Sequence, residues 1–329
     1  MRKSVTIIAV ISLTIFFAMP FIATGQEPIK LIGATMLPQE HVYFRVLEKF
    51  SEVLKENYDG PLEIELHHSA DIGTEKDAFE YMMQGVSIDF SIVSPAWMAT
   101  WDKSAPFMDA PFLFSSIEHW EKCLNAGVFD PIAENIKNKG VRFIGYGGGG
   151  VRNLILNKPV YKTEDLPSVE MRVQGSPLAQ KVFSATGIQA TPMDYMEVYN
   201  AIKTGVLDGL ENEPAGMEQM KFYEVAPYYI MSRHAITIRL LCFSESRFQS
   251  FPPALQEAIL KAGEVAGKFH RDTEFAEGDG ILKRLVEEGK LNVIEFDNTE
   301  MRNRALPVVE EYAKEIGAEK ILEAVKSLQ

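Results

Sequence analysis

Hydrophobic positions along this chain switch between two spacings, and turn residues stand at each switch. Ile29 to Gly33 reads as a strand. Tyr43, Val46, Leu47, Phe50, Val53 and Leu54 then recur at helical intervals, which predicts an amphipathic helix ended by Asp59-Gly60-Pro61. Leu62, Ile64 and Leu66 alternate with Glu63, Glu65 and His67, the pattern of a strand with one polar face. Thr74 is placed to cap a helix carrying Phe79, Met82 and Met83 that stops at Gly85, and Ile88 to Val93 is the next strand. Strands alternating with helices in this way predict a parallel α/β sheet.

The pattern continues with a packed loop from Phe107 to Phe114, helices around Trp120 and Ile132, and a strand from Val141 to Tyr146. Gly147, Gly148, Gly149 and Gly150 follow, and with Gly145 they satisfy G-x-G-x-x-G formally. A dinucleotide site needs a helix to start there, its N-terminus aimed at the pyrophosphate. Val151 to Leu156 reads as a strand instead, so the glycines are taken as a flexible crossing between two lobes. Beyond it, Met171 to Gln174 is a strand and Ser176 to Thr186 a helix. Thr191 or Asp194 caps a helix that puts Tyr195, Val198, Tyr199 and Ile202 on one face, and Leu207 to Asn212 returns as a strand. A long strand from Ala235 to Phe243 precedes a helix from Ala254 to about Glu277 that continues toward Glu288. Val293 to Phe296 is a short strand, and Glu300 to Val325 is mostly helical.

The first residues carry a different pattern. Arg2 and Lys3, an apolar run from Val5 to Phe17, and the small residues Ala23-Thr24-Gly25 form the order of a secretory signal peptide over residues 1–25. Cleavage after Gly25 leaves 329 − 25 = 304 residues, enough for two lobes, because single cores stop growing at roughly 250–300 residues. No later apolar run approaches the ~20 residues of a spanning helix. A formal net charge of −13 excludes the basic footprint of a nucleic-acid binder. It also means that an anion site must concentrate its positive charge inside a cleft. Cys123 and Cys242 are too few for a disulfide framework or a four-thiolate metal site, and they read as two buried free thiols.

Enzymatic motifs are missing. None of the six histidines forms H-E-x-x-H, His67 and His68 must point to opposite sides of a strand, and there is no nucleophile elbow or Walker loop. No metal site or cofactor is expected, although Glu211 or Glu213 could bridge a ligand through a metal. What stands out is Arg172, inside the apolar strand Met171-Arg172-Val173 and just before the turn Gln174-Gly175-Ser176-Pro177. A buried unpaired charge costs several kcal/mol. It therefore has either an ion-pair partner, with Glu170, Glu197 and Asp208 as candidates, or a ligand carboxylate that its planar fork grips with two parallel bonds. Arg172, Gly175, Tyr195 and Asn212 all fall near strand ends, where ligands of α/β lobes sit. From the local pattern alone, Arg152 and Arg239 read as structural, and Tyr195 and Trp97 as core or rim.

Several segments together resemble the DctP-type solute receptors of tripartite ATP-independent periplasmic (TRAP) transporters. They are Arg172-Val173-Gln174-Gly175-Ser176-Pro177, Ala190-Thr191-Pro192-Met193-Asp194-Tyr195, Glu197-Val198-Tyr199 and Asp208-Gly209-Leu210-Glu211-Asn212. Ala70-Asp71-Ile72-Gly73, Asp89-Phe90-Ser91-Ile92-Val93 and Asp109-Ala110-Pro111-Phe112-Leu113-Phe114 match as well. The resemblance implies a two-lobe α/β periplasmic binding fold with bridging strands and one long helix. Residues 26–149 with about 238–277 would form one lobe, and 150–237 with about 278–329 the other. It places Arg172 as the main carboxylate-binding arginine, Arg152 as a second arginine supporting the ligand, Asn212 beside the carboxylate and Tyr195 as an aromatic packing on the ligand. Thr35, Glu75, Ser94 and Arg239 become pocket positions that vary with substrate. Arg239 either neutralises a second acidic group or pairs with Glu75 and leaves room for sugar hydroxyls. The implied protein is a monomeric periplasmic receptor, not an enzyme, that passes a small organic acid, favoured as a sugar acid, to the small and large membrane subunits of the transporter. A C4-dicarboxylate or other keto or hydroxy acid, a sensory role, and an exported enzyme acting on such an acid are the alternatives.

Overall fold

The computed structural model describes residues 27–329, so the leader read over 1–25 lies outside the described residues. The first half contains β1 (Ile29–Ala34), α1 (Val42–Asn57), β2 (Leu62–His67), α2 (Glu75–Gln84) and β3 (Phe90–Val93). Helices α3 (Ile117–Asn125) and α4 (Asp130–Lys137) lead into β4 (Val141–Leu156). The second half runs through β5 (Glu170–Val173), α5 (Pro177–Ala185), β6 (Gln189–Pro192), α6 (Val198–Lys203), β7 (Gly209–Asn212) and α7 (Pro214–Gln219). It closes with β8 (Tyr228–Ser244), α8 (Glu245–Ser250), α9 (Pro253–Glu287), β9 (Asn292–Glu295), α10 (Thr299–Ile316) and α11 (Glu319–Ser327).

The strands form one path in the order β2–β1–β3–β8–β4–β7–β5–β6, with β9 added on β8. β1, β2 and β3 are parallel, as are β5, β6 and β7. Between these sets lie β4 and β8, antiparallel to each other and 16 and 17 residues long. The late part of β8 pairs with β3, and the late part of β4 with β7. The two strands thus run through both lobes and join them.

Helix α9 packs on both α1 and β4. The buried stripe of α1, with Val46, Leu47, Phe50 and Leu54, shares a core with Leu255, Ile259, Ala262 and Ala266 of α9. Each fully buried Val, Leu, Ile or Phe among them contributes about 1.5–3 kcal/mol. Helix α9 is one element of 35 residues, Pro253–Glu287. It lies directly on β4, because a Cβ at Gly263 would stand 2.2 Å from the Ile144 carbonyl oxygen.

The glycine run corrects an expectation. It is not a loose crossing between two strands but the middle of β4, where the register with β8 shifts between Gly148 and Val151. Gly148 and Gly149 have φ of 94° and 112°, a region that suits glycine. At Gly147 a Cβ would meet His270 at 2.3 Å, so close packing against α9 fixes that position. A second correction concerns the cap before Tyr195. Thr191 lies in β6 opposite Arg172, and Asp194 precedes a 3-10 turn, Tyr195–Glu197, without a side-chain capping bond. The expected Phe107–Phe114 loop begins inside another 3-10 turn, Ala105–Asp109. Cys123 and Cys242 are both buried and free.

Candidate functional site

Parallel strands aim their carboxyl ends the same way, and both sets in this fold end at one cavity. Met36 and Leu37 follow β1, Trp97 follows β3, Gln174 follows β5, Asn212 ends β7 and Glu213 follows it. With Arg172, Tyr195, Arg152, Arg239, Glu75, His41 and Tyr43 they enclose about 390 Å³ of empty space, the open mouth included.

Arg172 is 2% exposed and has no carboxylate partner among the described residues. Glu170, Glu197 and Asp208, the ion-pair candidates from the sequence, do not pair with it. Of the five N–H donors a guanidinium carries, only Nε is used, donating to the Met193 carbonyl at 2.9 Å. The terminal nitrogens make no hydrogen bond among the described residues, and the guanidinium sits 5.4 Å from the centroid of the Tyr195 ring. Burial pushes its pKa down to about 10, which leaves it cationic at neutral pH.

Arg152 is the opposite case, with every donor engaged. Nε donates to Glu211 Oε2, Nη2 to Glu211 Oε1 at 2.9 Å and to the Glu211 carbonyl at 2.8 Å. Nη1 donates to Glu213 Oε2 at 2.8 Å and to Thr237 Oγ1 at 3.4 Å. Burial would lower its pKa, but Glu211 and Glu213 outweigh that and raise it. Burial likewise works to raise Glu211, yet Arg152 and His234 hold its carboxyl well below the usual range. The local pattern had read Arg152 as structural, and its bonding is that of a strut. The same bonds turn the carboxylates of Glu211 and Glu213 toward a guanidinium.

Arg239 lies between. Nε donates to Tyr43 OH, and Nη1 to the Ile238 carbonyl at 2.7 Å and to Ser94 Oγ at 3.5 Å. Nη2 makes no hydrogen bond among the described residues. Three acids surround this arginine: Asp109 Oδ2 is 3.9 Å away, and Glu75 and Glu213 act on it through space. It does not pair directly with Glu75, whose carboxylate accepts from the Ser94 N–H. Burial raises the pKa of Glu75 against the pull of Arg239. Asn212 Nδ2 donates to Tyr195 OH at 2.5 Å, which holds that ring beside Arg172.

Arg172, Arg152, Asn212, Tyr195, Glu75 and Arg239 line one cavity. Thr35, Ser94 and Gly175 stand behind its wall. The Thr35 hydroxyl accepts from the Leu37 N–H at 3.2 Å, Ser94 Oγ donates to Gln174 Oε1 at 2.8 Å, and Gly175 backs onto Trp97. Sequence reasoning missed His41, Tyr43, Gln174, Met36 and Leu37 as wall residues. For Gln174 a signal existed, since residues two apart on a strand share a face and it follows Arg172 at that spacing.

Two α/β lobes whose strand ends converge on a buried arginine with free donors define a two-lobed solute-binding protein. The chain belongs to the bacterial extracellular solute-binding proteins of family 7 (DctP), whose profile matches residues 33–315. A solute-binding protein of Sulfitobacter sp. strain NAS-14.1 is 41% identical over 309 residues, 93% of this chain and 94% of that protein. A crystal structure of a TRAP periplasmic solute-binding protein from Sulfitobacter sp. NAS-14.1, with bound alpha-D-taluronate, has 41% identity and a TM-score of 0.88. It covers 91% of this chain and 97% of that one. A TRAP periplasmic solute-binding protein from Citrobacter koseri, with bound D-glucuronate, is 28% identical with a TM-score of 0.84, covering 92% and 100%. Among the described residues no helix is long and apolar enough to cross a membrane.

Proposed function

We propose that this protein is the periplasmic receptor of a TRAP transporter, that it captures a monoanionic sugar acid of hexuronate size, and that it delivers the acid to the transporter's membrane subunits without transforming it. The observation that carries this reading is Arg172, buried, cationic and holding free terminal donors at the cavity wall. A carboxylate docked there completes a two-bond fork in a desolvated setting. Loss of one partner from such a pair costs roughly 2–5 kcal/mol, a large part of the about −8 kcal/mol of a micromolar complex.

The rest of the wall favours hydroxyls over a second acid. Arg152 is saturated, and Arg239 already faces Glu75, Glu213 and Asp109. A second ligand carboxylate meets that acidic surround, whereas hydroxyls both donate to Glu75 and Glu213 and accept from Arg239 Nη2. This disfavours C4-dicarboxylates, and the bound taluronate and glucuronate of the two relatives point the same way. Asn212 and Tyr195 position the carboxylate end. β4, β8 and α9 supply the connection about which the lobes close, with the division near Gly149 and Gly150.

Isothermal titration against a hexuronate panel, succinate and malate tests the reading. Micromolar or tighter binding of at least one hexuronate, with no comparable heat from either dicarboxylate, is expected. Binding of the dicarboxylates alone, or turnover of any bound acid over hours, overturns it.

A further inference from the structure

Histidine is an uncommon residue to find at the start of a helix. N-cap positions favour Ser, Thr, Asp and Asn, whose short side chains reach the free N–H groups of the first turn. Helix α1 is capped by His41, which has extended backbone (φ −68°, ψ 145°) and accepts from the Tyr43 N–H through Nδ1 at 3.2 Å. A full imidazole is thereby buried to 2% exposure where a smaller residue caps as well.

The ring's other nitrogen supplies the reason. An Nδ1 that accepts a backbone hydrogen bond carries no proton, so in the neutral ring the proton is on Nε2. Burial, the largest effect, lowers the His41 pKa to about 3 and keeps the ring neutral. The groups that act on it are Glu274 and His270 of α9, Arg239 of β8 and Arg45 of its own helix. The Tyr43 ring packs edge-on at 4.6 Å. Nε2 makes no hydrogen bond among the described residues, although the imidazole lines the cavity. The α1 side of the cleft therefore presents a donor whose tautomer is fixed by the helix it caps.

We infer that His41 is a ligand-binding residue, donating its Nε2–H to a hydroxyl or ring oxygen of the sugar body while Arg172 holds the carboxylate from the β5 side. This rests on the sugar-acid reading of the cavity and adds a contact to it. His41 is a donor only, whereas Glu75 and Glu213 only accept when ionised, so together they suit oxygens that carry their own proton. Apolar or deoxygenated acids leave the His41 Nε2–H without a partner.

Two substitutions separate capping from binding. Asparagine places its amide near the Nδ1 position and is a preferred cap, but it does not reach Nε2. Glutamine places a donor near Nε2 and caps poorly. His41→Asn is expected to keep or raise the melting temperature of the ligand-free protein and to weaken binding of the best hexuronate by about 10- to 100-fold. His41→Gln is expected to lower the melting temperature and retain binding within about threefold of wild type, a change of under 1 kcal/mol. Wild-type affinity in His41→Asn overturns the inference, and so does loss of affinity in both variants in step with their stability. Should the wild-type protein bind no sugar acid at all, the sugar-acid reading itself fails, which the unsubstituted protein reveals first.

Discussion

The edge of the Trp97 indole occupies the space that a side chain on Gly175 needs: a Cβ there would lie 2.6 Å from Cζ3. Trp97 follows β3 and Gly175 follows β5, so the contact crosses the cleft between the lobes. Beside it, Ser94 and Gln174 make a second crossing bond at 2.8 Å.

Gly175→Ala is therefore expected to hinder closure without unfolding either lobe. The indole has to move into the cavity or the lobes have to stay apart, and each costs ligand affinity. We expect at least a tenfold rise in Kd, about 1.4 kcal/mol, with a ligand-free melting temperature close to wild type. With Trp101 and Trp120 replaced by Phe, Trp97 is the sole tryptophan, and its ligand-induced fluorescence change should shrink in the Gly175→Ala protein. An undiminished change with unchanged Kd removes Gly175 from the closing mechanism.

Arg172 and Arg152 predict opposite outcomes from the same substitution. Arg152→Ala leaves Glu211 and Glu213 buried without their counter-ion, a loss of roughly 3–5 kcal/mol, seen as a large fall in melting temperature. Arg172→Ala removes a charge that has no protein partner. Its ligand-free melting temperature should equal or exceed that of wild type while hexuronate binding disappears from titration. Arg172→Lys should also lose most affinity, because one ammonium cannot reproduce the planar fork. Micromolar binding by Arg172→Ala would sink the proposed carboxylate site.

These two arginines also show where the sequence was informative. A guanidinium in an apolar strand announced that something acidic must meet it, and the strand's position at a carboxyl edge indicated a ligand site. The periodicities of α1, β2 and α2 gave those elements directly, because local side-chain spacing records which face is buried. What local spacing could not record was distant pairing. Arg152 and Glu211 are 59 residues apart, and their antiparallel strands β4 and β7 bring them together only in the folded sheet. His41 was hidden for a related reason, since its partner is a backbone N–H that has no signature in the sequence. The continuity of β4 through four glycines was obscured because glycine supplies no periodic side chain.

Close approach of α9 to β4 yields a prediction about stability alone. A methyl at position 263 meets the Ile144 carbonyl oxygen at 2.2 Å, and neither backbone can yield cheaply. Gly263→Ala normally gains helix propensity of about 1 kcal/mol. Here overpacking, which costs typically 1–3 kcal/mol, should reverse the sign, and denaturant unfolding should show a lower midpoint. A raised midpoint means that α9 does not pack on β4 this closely.

Asp109 sets a pH dependence whose sign can be worked out. Its carboxyl is buried at the end of the 3-10 turn before Ala110, 3.9 Å from Arg239. Burial pushes it up to about 7 against the opposing pull of Arg239 and Arg152. A raised acid holds its proton in the folded state where the unfolded chain has released it. Stability should therefore fall as pH climbs from the ordinary carboxylate range toward 7, then level off. His41 and His234 run the other way: burial lowers both, so their contribution is complete above the ordinary histidine range and is lost as pH falls below it. The wild-type curve mixes these effects, and subtracting a variant isolates one. Asp109→Asn keeps the shape of the side chain and cannot ionise. Its melting temperature relative to wild type should rise from pH 5 to about 7 and level off above that, corresponding there to a gain on the order of a few kcal/mol. A difference that stays flat across that window shows that Asp109 is ionised throughout, with Arg239 rather than burial deciding its charge.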